Sequence, residues 1–278
     1  MKRSASPAAS AAAWQPAFWL QHPGFASIAS AAARCCDWPD WPAAEAYYAA
    51  LSAAAPVQFV GVDVQSYEDH IAETGQVPTR YACWHDLFNA LIWQQFPASK
   101  TALNRLHRSA KLMLGNGQCG NGQCGSGQRG RRRDAATLFD ENGAVVVSSD
   151  PDLLGLIRNM NWPELFVAQR AVLSQRMRVF LFGHGLLDQL RRPFLGLTAH
   201  ALLLHEPVLA ELTPAALDAR VAETVAAKQT HWTPAELFPL PILGMPDWWP
   251  GNADPAFYDN THYFRRERRR QASANGSA

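Results

Sequence analysis

Trp84-His85-Asp86-Leu87-Phe88-Asn89-Ala90-Leu91-Ile92-Trp93 is the stretch on which the fold turns. From Cys83 to Phe96 the chain is apolar on nearly every side, which predicts a helix buried all round. Three polar residues interrupt the run. On a helix His85 and Asn89 lie one turn apart on a shared face, with Asp86 at its margin. Burying such groups is costly unless they are hydrogen-bonded, so they must meet partners, and Arg133, Asp134 and His184 are the natural suppliers. Two roles fit. The cluster can tie the helix to a neighbouring backbone, or it can line a pocket where a histidine serves as acid–base group or metal ligand.

Working outward, Pro97 stops this helix and Ser99 caps the next, which carries Leu103, Leu106, Ala110 and Met113 on one face. His107 then ends that helix, where a cationic imidazole would favour the dipole. Upstream, Pro42 opens a helix to about Ala54, Val57–Val60 reads as a short strand, and Ser66 with Asp69 caps a helix that Gly75 ends. Trp14 to Arg34 is helical in pieces, punctuated by Pro16 and Pro23, and residues 1–13 form a disordered N-terminus.

Downstream, Gly115 to Gly130 contains three copies of a five-residue unit beginning Gly-Asn-Gly-Gln-Cys. Read into one another, the copies satisfy the dinucleotide pattern Gly-x-Gly-x-x-Gly. That pattern needs a strand before it and a helix after it, whereas here a helix precedes and Arg131-Arg132-Arg133 follows. The stretch is therefore read as a flexible glycine-rich loop, with Cys119 and Cys124 lacking further ligands within reach. Thr137-Leu138-Phe139 and Ala144–Val147 flank Asp140-Glu141-Asn142-Gly143, which predicts a β-hairpin. Asp150-Pro151 opens a helix, and Asn161 with Pro163 opens a longer one reaching Phe182. Thr213-Pro214 and Thr233-Pro234 start two more, the second with Glu236 completing a capping box. His184 lies between Gly183 and Gly185, which allow another backbone to approach. Residues 238–264 are dominated by proline and aromatic residues and predict an extended strap packed over the Trp84–Phe96 helix and its neighbours.

The expected architecture is a single compact domain over residues 14–264, mainly α with a small β-hairpin element, followed by a basic disordered tail at 265–278. Its 278 residues are 48% hydrophobic and 18% charged with a net charge of +1, so neither wholesale disorder nor a global field for nucleic acid or anionic membrane is implied. Five cysteines, an odd number without a Cys-x-x-Cys, make no disulfide framework, and this points to a reducing, cytoplasmic location. Met1-Lys2-Arg3 opens like a signal peptide, but Pro7 and Ser10 leave no apolar core for one. No run of about 18 apolar residues is present to span a bilayer.

The common nucleophile-elbow, zinc-protease and nucleotide-loop motifs are absent, and no cofactor or metal is assigned. The His85-Asp86 pair is similar to the dyad of metal-dependent phosphohydrolases, whose outlying ligands would have to be residues such as His70 and a later Asp. The preferred functional reading is a binding or structural module with a buried polar cluster. The alternative is a small-molecule hydrolase or transferase using His85, Asp86 and His184. A third reading, nucleic-acid binding through Arg131–Arg133 and the run Arg265–Arg270, ranks below a solvated tail. Candidate site residues are His85, Asp86, Asn89, Arg133, Asp134 and His184.

The motifs jointly resemble a known family. Trp84–Trp93 is followed by Phe96-Pro97 and by Leu103-Asn104-Arg105-Leu106-His107. Then come Arg133-Asp134 with Thr137–Gly143, Leu181-Phe182-Gly183-His184, Pro239-Leu240-Pro241-Ile242-Leu243-Gly244 and Asn252–Tyr258. Together they are similar to the bacterial proteins grouped as domain of unknown function 3025. The resemblance covers roughly residues 55–265 and implies one domain over two. The glycine-rich loop departs from it, and no catalytic residue is implied.

Overall fold

A computed structural model describes residues 13–115 and 126–266. Two short 3-10 turns at Phe18–Leu20 and Pro23–Ser27 lead into α1 (Ala29–Cys35), as the interrupting prolines predict. α2 (Ala44–Ser52) is followed by β1 (Gln58–Val60), α3 (Tyr67–Thr74) and β2 (Gln76–Pro78). β1 and β2 pair in parallel, Gln58 opposite Gln76, with α3 as the crossover and Gly75 ending it at φ 69. Then come α4 (Trp84–Gln95), α5 (Pro97–Gly115), α6 (Ser126–Asn142), β3 (Gly143–Ser148), α7 (Pro151–Arg158), α8 (Arg170–Arg176), β4 (Met177–Leu181), α9 (His184–Leu190), β5 (Thr198–His205), α10 (Pro214–Ala227) and β6 (Phe238–Pro241). The chain is mainly helical, with small sheets. No helix among the described residues is long and apolar enough to cross a membrane.

α4 is buried continuously from Leu87 to Gln94, as its composition predicts. Its cover is the aromatic N-terminal segment. Trp14 stacks on Trp84 at 4.9 Å with planes 7° apart, Phe25 stacks on Phe88 at 5.8 Å, and the Arg191 guanidinium lies 3.9 Å from the Trp84 ring. Such ring pairs contribute about 0.5–1.5 kcal/mol each beyond their buried area. Pro97 separates α4 from α5, but the cap of α5 comes from α10. Asp218 accepts from the Ala98 and Ser99 amides at 2.8 and 2.9 Å and from Ser99 Oγ at 2.6 Å. Its carboxylate thereby satisfies donors that a helix start leaves unpaired. The caps predicted at Asp150, Thr213 and Thr233–Glu236 are all made, but the third opens only a three-residue 3-10 turn (Pro234–Glu236) in place of the predicted helix, because β6 begins at Phe238.

The second sheet runs in the order β4-β3-β5-β6. β3 lies antiparallel to β4 (Val146 opposite Val179) and parallel to β5 (Val146 opposite Leu203). All six of its residues are buried, as a central strand covered on both faces requires. β6 carries Pro239 and Pro241 and sits at the edge, where a missing ladder donor is tolerated.

Several expectations are corrected. The hairpin at 137–147 does not form: Thr137–Phe139 belongs to α6, because Ala135, Ala136 and Phe139 are buried at helical spacing. Asn142-Gly143 is instead the junction where α6 becomes β3, and a Cβ on Gly143 would sit 2.2 Å from the Phe139 carbonyl oxygen. The long helix from Asn161 to Phe182 breaks into a π-type turn (Glu164–Ala168) and α8, because Met177–Leu181 is taken up as a sheet strand, where pairing outweighs helical propensity. His107 does not end its helix, which continues to Gly115. The glycine-rich loop is shorter than predicted at its end, since Ser126–Gly130 is helical. Residues 116–125 with Cys119 and Cys124, residues 1–12 and the tail from 267 lie outside the described residues. The strap is packed, but not over α4: after β6 it lies against Phe166 and Trp162, with Tyr258 stacked 5.6 Å from Phe166 and the Trp162 indole donating to the Arg265 carbonyl. The N-terminal aromatics already occupy α4.

Candidate functional site

The polar face of α4 opens onto a cleft of about 790 Å³. α4 supplies His85, Asp86 and Asn89. α6 supplies Arg133, Thr137, Asp140 and Glu141, and His184 comes from the first turn of α9. His107 enters from the middle of α5, and Tyr67 and Glu68 from α3. Residues 61–64 and 78–81, which flank the β1–β2 pair, close the remaining side.

Five of the six predicted residues therefore meet in one place. Asp134 does not: it is exposed on the other flank of α6, beside Leu138 and Asn142. The predicted partnerships also change. Asp86 turns away from His85 and clamps Arg80, accepting from its backbone amide (2.7 Å), Nε (3.0 Å) and Nη2 (2.8 Å). Burial alone would raise the Asp86 pKa, but the Arg80 contacts more than offset it and hold the carboxyl below its ordinary range. The His85-Asp86 pair thus diverges, and His70 is not among the cleft residues, so a phosphohydrolase dyad is not assembled. Asn89 donates to the Tyr67 hydroxyl at 2.8 Å.

His85 meets His184 instead, ring centroids 4.4 Å apart at 68°. Between them stands Glu141, its Oε1 4.0 Å from His85 Nε2 and 3.5 Å from His184 Nε2. Behind His184, Asp140 Oδ1 lies 4.0 Å from Nδ1 and is held at 2.5 Å by the Lys100 ammonium, itself buried and 5.7 Å from the Trp93 ring. Burial pushes the His184 pKa down to about 4, only partly opposed by the Asp140 charge, so the imidazole is neutral near pH 7. For Asp140 burial acts upward, yet the charge of Lys100, with His184 behind it, brings the carboxyl below its usual value. Glu141 is raised, first by burial and then by the Asp140 charge, with His85 opposing.

The approach of α9 to the end of α6 depends on glycine. A Cβ at Gly183 would meet the Glu141 carbonyl oxygen at 2.5 Å, and one at Gly185 would meet Glu141 Oε2 at 2.6 Å. Each side chain of His85, Glu141 and His184 offers one ligand atom, and these atoms lie within 4.8 Å of one another, the one such metal-compatible group among the described residues. Three buried polar atoms of cleft residues have no hydrogen-bond partner among the described residues: Asn89 Oδ1, His107 Nδ1 and His184 Nδ1.

His107, Asp140, Glu141, Tyr67 and Lys100 were missed from sequence. Asp140 and Glu141 were hidden by the hairpin reading. Continued as a helix, Arg133, Thr137, Asp140 and Glu141 recur at one-turn spacing on one face, which would have found them. Lys100 had no such signal, because nothing local marks a lysine that is buried against a distant carboxylate.

No curated protein and no solved structure matches the chain. The family model described as protein of unknown function (DUF3025) matches residues 57–268, which include His85, His107, Asp140, Glu141 and His184 but not the aromatic segment that covers α4. With most of its length matched, and with the cleft side chains inside the match, the chain belongs to the DUF3025 family.

Proposed function

We propose that the cleft takes up a small polar molecule and acts on it as a hydrolase or transferase, with the reacting end at the wall formed by His85, Glu141 and His184. The observation that carries this reading is convergence without mutual satisfaction. Side chains from α3, α4, α5, α6 and α9 meet at an open cleft, yet among the described residues Asn89 Oδ1 and His107 Nδ1 find no partner and His184 Nδ1 comes no nearer than 4.0 Å to the Asp140 carboxylate. Buried polar groups that serve only structure are nearly always paired. The lining mixes Arg80 and Arg133 with Glu68 and Asp63, and it favours a polar ligand over an apolar one. A cytoplasmic setting fits, since Cys35, Cys36 and Cys83 are free. The basic tail that motivated nucleic-acid binding lies largely outside the described residues, and no observation favours that reading.

The test is a ligand screen by saturation-transfer NMR with small polar metabolites, followed by product detection on the hits. Thr137→Trp places an indole in the cleft from an exposed position of α6. Compounds should bind the wild-type chain, compete for one site and be lost in Thr137→Trp while its circular dichroism is unchanged. Binding that survives the indole, or no binding at all, would overturn the reading.

A further inference from the structure

We infer that His85, Glu141 and His184 hold one divalent first-row transition-metal ion, with a coordination position left open to the cleft. The inference deepens the reading of the cleft as a reaction site and supplies the group that would do the chemistry there; the sequence alone assigns no metal.

The donor set is two imidazole nitrogens and one carboxylate oxygen, a combination that suits zinc and its neighbours rather than magnesium or calcium. Adjacent ligand atoms around a tetrahedral zinc are roughly 3.3 Å apart, given metal–ligand bonds of about 2.0–2.2 Å. Glu141 Oε1 already stands 3.5 Å from His184 Nε2 and 4.0 Å from His85 Nε2. Closing the two Glu141 gaps needs movements of about 0.2–0.7 Å, and the His85–His184 separation, which lies within 4.8 Å, needs at most about 1.5 Å, within reach of χ adjustments by His85 and Glu141, which are partly exposed on the cleft side. Without an ion, Glu141 stands at ion-pair distance from both histidines, and the three groups make no direct hydrogen bond to one another among the described residues.

The surroundings are those of a held ligand set. His184 turns Nε2 toward Glu141 and Nδ1 toward Asp140, so an N–H on Nδ1 would face a carboxylate and leave the Nε2 lone pair for the metal. Asp140 is in turn fixed by Lys100, which keeps this backing carboxylate from joining the ligands itself. Gly183 and Gly185 remove the side chains that would otherwise push α9 off Glu141. His85 and Glu141 remain partly exposed, so the open position faces the cleft and not the core. Three protein ligands with one free position is the arrangement of catalytic, as opposed to structural, zinc sites.

The experiment uses the full chain, stripped with a chelator and dialysed against buffered Zn²⁺, Mn²⁺ or Co²⁺, with bound metal quantified per chain. One ion per chain is expected, and the Co²⁺ form should show a visible d–d spectrum whose intensity reports the coordination number. Glu141→Gln and His184→Asn should each weaken binding by at least about 100-fold, and Asp140→Asn by about 10-fold. His205→Asn, at an exposed histidine away from the cleft, should bind as wild type. Metal-free melting curves of each variant show whether it has folded, and His85→Asn provides a second ligand substitution should His184→Asn fail. Binding unchanged by Glu141→Gln and His85→Asn, or no stoichiometric ion in the wild-type chain, would overturn the site. Metal binding and small-molecule binding are read separately. Loss of the first with retention of the second in chelator sinks the ion and leaves the cleft; the converse keeps the ion and sinks the small-molecule reading.

Discussion

Two polar clusters in this molecule are built from similar side chains and end in opposite states. Under the strap, Asn252 donates to the carbonyls of Leu243 (2.9 Å) and Met245 (2.6 Å), and its Oδ1 accepts from Arg170 (3.2 Å). Tyr258 donates to the Gly244 and Asn252 carbonyls, and Tyr263 donates to the Leu197 carbonyl while accepting from the Leu243 amide. In the cleft, Asn89, His107 and His184 each keep a buried polar atom without a hydrogen bond among the described residues. The first cluster is closed, its side chains completed by backbone carbonyls and amides and by Arg170. The second is only partly paired: Asn89 bonds Tyr67 and Lys100 bonds Asp140, but Glu141 stands 4.0 Å from His85 and 3.5 Å from His184 without a direct hydrogen bond. Buried polar groups are usually paired, and what sets the cleft apart from other unpaired atoms, such as Tyr47 Oη and Trp232 Nε1, is that its titratable side chains also converge on an open space.

If the strap cluster is structural, breaking it should cost most. Ending the chain at residue 238 removes the β6 edge strand together with Leu240, Ile242, Leu243, Trp248, Tyr263 and Phe264, all buried. Burying one large apolar side chain contributes roughly 2–3 kcal/mol, so losing six, about 12–18 kcal/mol, is comparable to the whole stability of an ordinary domain, about 5–15 kcal/mol. The 1–238 fragment should be insoluble or bind hydrophobic dye without a near-ultraviolet circular dichroism signal, whereas a chain ending after Arg265 should melt as the full protein does. A cooperatively folding 1–238 fragment would show that the strap is detachable.

Asn252→Ala comes next. It strands the Leu243 and Met245 carbonyls and one Arg170 contact, and should cost about 3 kcal/mol, lowering Tm by roughly 6–12 °C in a thermal melt. A change below 1 °C would mean that water replaces the amide and that the network is not closed. Smaller again is an alkaline effect. Burial raises the Tyr263 pKa, only partly opposed by the Leu243 amide, and burial raises Tyr258 as well against the pull of Arg170. A tyrosine raised in the folded state contributes stability that is complete below the unfolded value, about 10, and falls as pH rises above it, by about 1.4 kcal/mol per pH unit for a buried ring such as Tyr263. Urea midpoints should hold flat from pH 8 to 9.5 and then decline, and the decline should be shallower in Tyr263→Phe.

Sequence legibility divides along the same line. α4, the helices started at Pro151 and Pro214 and the caps at Asp150, Thr213 and Thr233 could be read because their signals are local. The strap could be read as packed because tryptophan and tyrosine at that density need cover, though not where it packs. β4 was lost because Met177–Leu181 extends a helical pattern and becomes a strand only beside β3, which is a tertiary fact. The cleft was half legible. His85, Asn89 and His184 stood out as polar residues in apolar or glycine-flanked settings, whereas Asp140 and Glu141 were absorbed into a turn motif that the helix overrides. Asp218 reaching the start of α5 and Lys100 reaching Asp140 are pairings across the fold that no local spacing announces.

The smallest effect should come from the cleft itself. Glu141→Gln keeps the shape of the side chain and removes a carboxylate that burial and the Asp140 charge already disfavour. His85→Asn removes a ring that packs on His184 and reaches Glu141 at 4.0 Å without a hydrogen bond among the described residues. Measured in chelator, so that no bound ion contributes, each should shift stability by less than about 1 kcal/mol, and Glu141→Gln should raise it, because polar groups arranged for binding are strained in the unliganded fold. The comparison with Asn252→Ala in the same urea titration is the decisive one. Should Glu141→Gln lower the midpoint as far as Asn252→Ala does, the cleft cluster would be a second structural network, and the proposed site would lose its footing together with the metal assigned to it. A neutral or stabilised variant that no longer retains metal would place Glu141 on the functional side, where its charge is kept at the expense of stability.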